Sequence, residues 1–182
     1  KFPQLYIFDT IFYFYNKNKK NTFLNVVRKL LNNISSKGIY DHLGGGISRY
    51  TVDEKWIVPH FEKMLYDNIL FVRTLNNYLV SKEDNKLNNK LIQTINFINN
   101  EFLNNENLLG SGYDADSEGI EGKYYVWSNE EIEGLLGKDM DIFKKKYSVT
   151  KEGNFEGSNI LIENDNFELN ENELEIINKS EK

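Results

Sequence analysis

Apolar residues recur along much of this chain at helical spacing. Phe23, Val26, Val27, Leu30, Leu31 and Ile34 fall three and four positions apart, which predicts an amphipathic helix over Thr22–Ile34 that Gly38 stops. Leu5–Tyr15 is apolar nearly all round and predicts a buried inner helix. Ile47–Thr51 and Lys55–Val58 read as two short strands joined at Val52-Asp53-Glu54. Pro59 suits the first turn of a helix from His60 to Val80, with Phe61, Met64, Leu65, Ile69, Val72, Leu75 and Leu79 on its stripe. Asp84 caps the next helix, whose face carries Leu87, Leu91, Ile95, Ile98 and Phe102. Ser128 and Glu131 have the spacing of a capping box, for a short helix that runs to Leu136 and closes at Gly137. Asp139–Tyr147 and Glu171–Asn178 predict two more helices. Between them lie a polar, glycine-bearing loop over Asn104–Lys123, β-like residues at Tyr124–Trp127, a loop at Gly153–Gly157 and an extended piece at Asn159–Ile162.

Helix pairs separated by long loops, without strand–helix alternation, predict an all-α chain with short β-hairpins in its loops. Hairpins of roughly forty residues suggest an α/α repeat architecture. Composition then narrows the function. The formal charge of −6 disfavours a general nucleic-acid binder, which needs a basic face. No apolar run is long enough to span a membrane. The absence of cysteine removes disulfides, a thiolate nucleophile and thiolate metal sites, and makes cytoplasm the default compartment. The start at Lys1-Phe-Pro reads as an internal cut, so residues 1–182 are expected to form one incomplete domain.

The specific residues concentrate in Gly38–Asn68, which holds both histidines and three consecutive glycines. Asp41-His42-Leu43-Gly44-Gly45-Gly46 is not a phosphate loop, because no Walker lysine follows it. The plain alternative is a tight connection into the hairpin. Arg49, Tyr50, Asp53 and Trp56 have the character of a sugar site: aromatic faces for the C–H side of a pyranose, and charged groups for its hydroxyls. Core packing for Trp56 and a surface ion pair for Arg49 are the competing readings. On a helix beginning at Pro59, His60, Met64 and Asp67 share one face and Glu62 and Tyr66 another. His60 in the first turn would be kept neutral by the positive end of the helix and so suited to act as a general base, or it is structural. Lys63 is as well placed to pair with Asp67, four residues on, as to contact a substrate.

The acidic loop Asp114-Ala115-Asp116-Ser117-Glu118-Gly119 opens like an EF-hand, but its twelfth position is Tyr125 where a bidentate glutamate is required. Paired carboxylates suited to glycoside hydrolysis and a solvated acidic turn are the other readings. Tyr124, Tyr125 and Trp127 behind it form either a stacking wall or core. Glu156 in Gly153–Gly157 is a candidate ligand-facing carboxylate. No cofactor or metal is expected.

Together Lys1-Phe-Pro, GIYDHLGGG from Gly38, RYTVDEKW from Arg49, VPHFEKMLYDN from Val58, DADSEG from Asp114, GKYYVW from Gly122 and GNFEGSNIL from Gly153 resemble the thioredoxin-domain-containing proteins related to spermatogenesis-associated protein 20. The resemblance covers Lys1 to about Ile162, and Ser48 departs from it where many members have histidine. It implies a partial (α/α)6 toroid of the six-hairpin glycosidase and N-acylglucosamine 2-epimerase kind, attached in the full-length chain to a thioredoxin-like domain. Residues 163–182 lie beyond it and are expected to be weakly ordered or the start of a further helix. In such toroids the site lies at one mouth, which adds weight to His42, Arg49, Asp53, His60, Glu62, Asp67, Asp114, Asp116 and Glu118. By fold analogy the implied ligand is a small sugar. Proton transfer by His60 or His42 is one chemistry; a pair of carboxylates from Asp114 or Asp116 with Asp67 or Glu62 is the second; a non-catalytic module serving the thioredoxin-like domain is the third.

Overall fold

The computed structural model describes residues 1–164 and 169–181, so the part of the tail expectation that falls on residues 165–168 and 182 lies outside the described residues. The chain is mainly helical, with short antiparallel strand pairs between helices. Helix α1 spans Phe8–Asn18 and α2 Asn21–Ser36. A two-residue joint at Lys19 and Lys20, with Lys19 left-handed, folds them onto each other as a hairpin. Helix α3 spans Leu65–Ser81 and α4 Asn85–Phe97, the latter continued by a π-turn over Ile98–Phe102. Asp84 caps α4 by accepting from Leu87 N–H at 3.2 Å.

The periodic stripe of α2 is the reason it exists as a helix. Leu24, Val27, Leu31 and Ile34 bury it against Phe71, Leu75 and Tyr78 of α3 and Leu87 of α4. Helix α1 corrects the expectation of a helix buried all round. Phe8 and Phe12 are buried, while Tyr13 and Phe14 are exposed, as is Tyr6 in the preceding turn. A second core joins α5 (Asn129–Leu136), α6 (Met140–Tyr147) and α7 (Glu171–Ser180) through Ile132, Phe143, Tyr147, Leu161 and Ile177. The capping box of Ser128 and Glu131 is present, and Asn170 with Glu173 makes another at α7.

The strands differ from the expected hairpin. β1 (Tyr50–Thr51) pairs with β2 (Pro59–His60) in the register Tyr50 opposite His60. Residues 55–58 are a turn instead, because the Asp53 carboxylate accepts from Lys55, Ile57 and Val58 N–H at 2.6–3.3 Å. β3 (Lys63–Met64) pairs with β4 (Gly112–Tyr113), and Leu65 N–H donates to Ser111 at 2.9 Å. These remote partners claim the backbone of residues 59–64, so α3 begins at Leu65 rather than at Pro59. The helix-dipole argument for His60 and the shared helical face of His60, Met64 and Asp67 fall with that shift. β5 (Asp116–Ser117) and β6 (Ile120–Glu121) form a tight hairpin whose turn holds Glu118 and Gly119 at positive φ. Tyr124–Trp127 is a turn, except that Trp127 bridges Asn159. Among the described residues no helix is long and apolar enough to cross a membrane.

Candidate functional site

The Gly44–Gly46 loop is fixed by polar side chains from the helices beneath it. Asn68 of α3 accepts from Ile47 N–H at 2.7 Å and donates to Ile47 O at 3.1 Å. Gln93 of α4 donates to His42 O and Leu43 O at 3.1 and 3.3 Å. Gly46 sits at φ 80°, where a Cβ would lie 2.5 Å from the Phe97 ring and 2.8 Å from Asn68 Oδ1, so only glycine fits.

Beneath this loop lies a buried ion pair. Lys63 Nζ donates to Asp41 Oδ2 at 2.7 Å and to Gly45 O at 2.9 Å, with its ammonium 4.4 and 4.7 Å from the ring centres of Phe97 and Tyr125. Burial alone would raise the Asp41 carboxyl. The Lys63 charge and the hydrogen bonds from Lys63, Gly44 and Leu43 overcome that and hold it below the ordinary carboxylate range. The expected Lys63–Asp67 pair is therefore not formed. β3 turns Lys63 inward to Asp41, which sits 22 positions earlier in the chain.

His42 is buried in a second polar cluster. Its Nε2 lies 3.2 Å from Lys37 O, and its Nδ1 lies 3.2 Å from Lys90 Nζ and 3.3 Å from Glu163 Oε1. Lys90 Nζ also pairs with Glu163 Oε1 at 2.8 Å. Burial and then the Lys90 charge lower the His42 pKa, favouring neutral imidazole. The neutral tautomer with Nε2–H donating to Lys37 O leaves Nδ1 to accept from Lys90. Both ring nitrogens are then committed, which makes His42 a poor general base. Burial opposes ionisation of Glu163, but the ammonium groups of Lys90 and Lys86 hold its carboxyl far below its ordinary value.

His60 takes a different place. It lies on β2 with Nδ1 2.7 Å from Glu121 Oε1, 61 positions along the chain on β6. Its ring stacks on Tyr50 at 5.0 Å, and Tyr50 stacks on Phe2 at 4.7 Å. The acidic hairpin thus meets the Pro59-His60 strand. Arg49 pairs with Glu62 at 3.1 Å. Near them, burial and then neighbouring Glu62, offset in part by Arg49, raise the Asp67 pKa to about 6, and its buried Oδ2 has no hydrogen-bond partner among the described residues.

A cleft of about 410 Å³ opens on the other side of the β5–β6 hairpin. Pro59 and Phe61 line it while His60, between them on the strand, does not. Its aromatic wall is Phe61 stacked on Tyr125 at 5.8 Å, with Tyr124 edge-on to Tyr125 at 5.1 Å, and Trp127 beyond. Asp41, His42 and Ser48 form its polar side, and Glu118, ion-paired with Lys123, stands at the hairpin tip.

Of the residues singled out from sequence, His42, Glu118, Tyr124 and Trp127 line the cleft; His60 and Tyr50 form the stacked pair with Glu121; and Arg49, Glu62 and Asp67 make a third group. Asp53 is committed to its own loop, and Trp56 is core at φ 66°, which leaves neither available for a ligand. Asp114 and Asp116 are exposed, Asp114 Oδ1 accepting from Asp116 N–H at 3.3 Å, and Glu156 is exposed in a left-handed turn. None of these three lines the cleft. Among the described residues no three acidic or histidine groups converge as a metal site, so the EF-hand-like opening gathers no ligand set. Sequence reasoning gave Lys63 the wrong partner and passed over Lys90, Glu121 and Glu163. Their partners lie 18 to 121 positions away, beyond any local spacing signal.

A mainly helical chain whose loops pool charged and aromatic groups is a class shared by many enzymes and binding modules. Comparison with known proteins narrows it: the chain is related to spermatogenesis-associated protein 20. The human protein of that name is 29% identical over 141 residues, 69% of this chain and 18% of its own length, and the mouse protein is 28% identical over 141 residues, with the same shares. An uncharacterized protein of Caenorhabditis elegans is 31% identical over 151 residues, 75% of this chain and 20% of its own length. The chain therefore spans about a fifth of the length of the curated relatives it matches. No family model matches it.

Proposed function

We propose that this chain is part of a carbohydrate-processing or carbohydrate-binding (α/α)6 domain, and that the cleft is its sugar site. The aromatic wall carries this reading. Tyr124, Tyr125 and Trp127, backed by the buried Phe61 ring, offer flat apolar faces on one side, with hydroxyl and carboxylate groups on the other. A pyranose needs that pairing: its C–H face stacks on rings while its hydroxyls find donors and acceptors. The helical hairpins α1–α2 and α3–α4, and the resemblance noted above, support the toroid.

The test is a titration of the chain with N-acylhexosamines and disaccharides, followed by calorimetry or NMR shifts. Tyr124 is 74% exposed, so Tyr124→Ala leaves the fold intact. Loss of one stacking face is expected to weaken binding about tenfold, on the order of 1.4 kcal/mol. Absence of binding by every sugar, or full-strength binding by the variant, defeats the reading.

A second reading rests on a separate observation, the 2.7 Å contact of His60 Nδ1 with Glu121. A carboxylate that accepts Nδ1–H leaves the Nε2 lone pair as a base, able to remove a proton from the carbon beside a carbonyl, as an epimerase does. In this reading the protein at the full length of its relatives incorporates deuterium into an N-acylhexosamine in heavy water, and His60→Asn lowers that rate by at least 100-fold. Binding without exchange in either protein favours a non-catalytic module, such as one serving a thioredoxin-like domain. The two-carboxylate chemistry has less support: Asp114 and Asp116 are exposed outside the cleft, and Asp67 and Glu62 belong to the Arg49 group.

A further inference from the structure

We propose that the cleft selects uncharged sugars and rejects anionic ones such as sugar phosphates and uronates. This rests on the carbohydrate reading above and deepens it to a substrate class.

The argument is one of charge and donors. Every ionised group on the cleft lining already has a partner from within the chain. Asp41 is held by Lys63 at 2.7 Å, Glu118 by Lys123, and Glu131 accepts from Ser128 N–H and Oγ, each at 2.8 Å. The ammonium behind His42 belongs to Lys90, which Glu163 holds at 2.8 Å. The amino end of α5, the helix that reaches the cleft through Glu131, is closed by its own capping box and offers no anion seat. Among the described residues no cation on the cleft lining is without an acidic partner, while Glu131, held only by the neutral groups of Ser128, adds a negative charge.

What remains open is neutral. The hydroxyls of Ser48, Ser117 and Tyr125 and the indole N–H of Trp127 all belong to lining residues, and none makes a hydrogen bond among the described residues. Each supplies an uncharged donor suited to a sugar hydroxyl or an amide oxygen. A phosphate, by contrast, needs charge-assisted donors to offset its lost hydration. The mechanism of selection is therefore internal neutralisation: the chain's own counterions occupy the cations that an anionic sugar would require.

The test compares glucose and N-acetylglucosamine with glucose 6-phosphate and glucuronate, titrated into the chain at neutral pH and low salt. The uncharged sugars are expected to bind at least tenfold more tightly than their anionic counterparts. Glu118→Gln, which releases the Lys123 ammonium, is expected to shift the ratio of phosphate to uncharged-sugar affinity at least threefold toward the phosphate. Equal binding of both classes, or preference for the anionic sugars, overturns the selectivity but leaves the carbohydrate reading standing. An unchanged ratio in the Glu118→Gln protein overturns the proposed cause, and binding of no sugar removes the inference along with the reading it rests on.

Discussion

Replacing Asp41 with alanine is expected to destabilise the chain by about 3–5 kcal/mol, the range found when one partner of a buried pair is removed. The Lys63 ammonium is almost fully buried and would lose its one carboxylate partner among the described residues, keeping one carbonyl and two ring faces. Asp41 Oδ1 also accepts from Leu43 and Gly44 N–H at 3.0 and 2.9 Å, so the glycine loop would lose two fixed points. The double change Asp41→Asn with Lys63→Met removes both charges, retains an acceptor for the loop and places an apolar chain against Phe97 and Tyr125. It should lose less than half as much, since apolar replacement of a whole buried pair is often near neutral. Denaturant midpoints for the wild type and both variants measure this. A loss below 1 kcal/mol for Asp41→Ala would show that water reaches Lys63 and that the pair is not structural.

Glu163→Gln is expected to cost about 3 kcal/mol at neutral pH, because it leaves the Lys90 ammonium beside a buried imidazole without a counter-charge. The pH dependence follows from the direction of two shifts. His42 has a folded pKa below its ordinary 6.5, so the unfolded chain binds the extra proton and stability declines as pH falls below 6.5. Glu163 is likewise depressed from 4.5, so its contribution is present above that value and is lost progressively in more acid solution. The wild type should therefore weaken in two stages on acidification. The Glu163→Gln protein should start weaker and lack the second stage. Urea midpoints at pH 7, 5.5, 4 and 3 decide the matter: parallel acid profiles for the two proteins would remove Glu163 from the account.

Both predictions concern residues that join distant parts of the chain, and this is where sequence reading and structure part company. The helix over Asn21–Ser36 follows from apolar residues three and four apart, and the caps at Asp84 and Ser128 bond to an N–H three positions on. Such signals are local, so one stretch of sequence contains all their partners. The start of α3 is different. Pro59 and an apolar stripe both fit a helix there, but β1 and β4 take the backbone of residues 59–64 for strand pairing. Nothing in residues 59–64 records those competitors. Lys63 shows the same limit: helical spacing points it toward Asp67, and strand geometry turns it toward Asp41.

The candidate site was legible in its location and not in its assignments. The glycine loop, the Pro59-His60 segment and the acidic hairpin stood out by residue type, and the structure brings them side by side. Which carboxylate would meet which base depended on the side of each two-residue strand a side chain occupies. His60 faces Glu121 while its neighbours Pro59 and Phe61 face the cleft, and Asp53 closes its own turn.

The sequence by itself determined the helices, their caps and the segments rich in chemistry, because periodicity and capping act over three or four residues. Only the tertiary structure decided where α3 begins, which charges are buried in pairs, and that His42 and His60 belong to different environments. Those outcomes are set by hydrogen-bond and charge partners dozens of residues apart, whose encounter depends on how the helical hairpins pack.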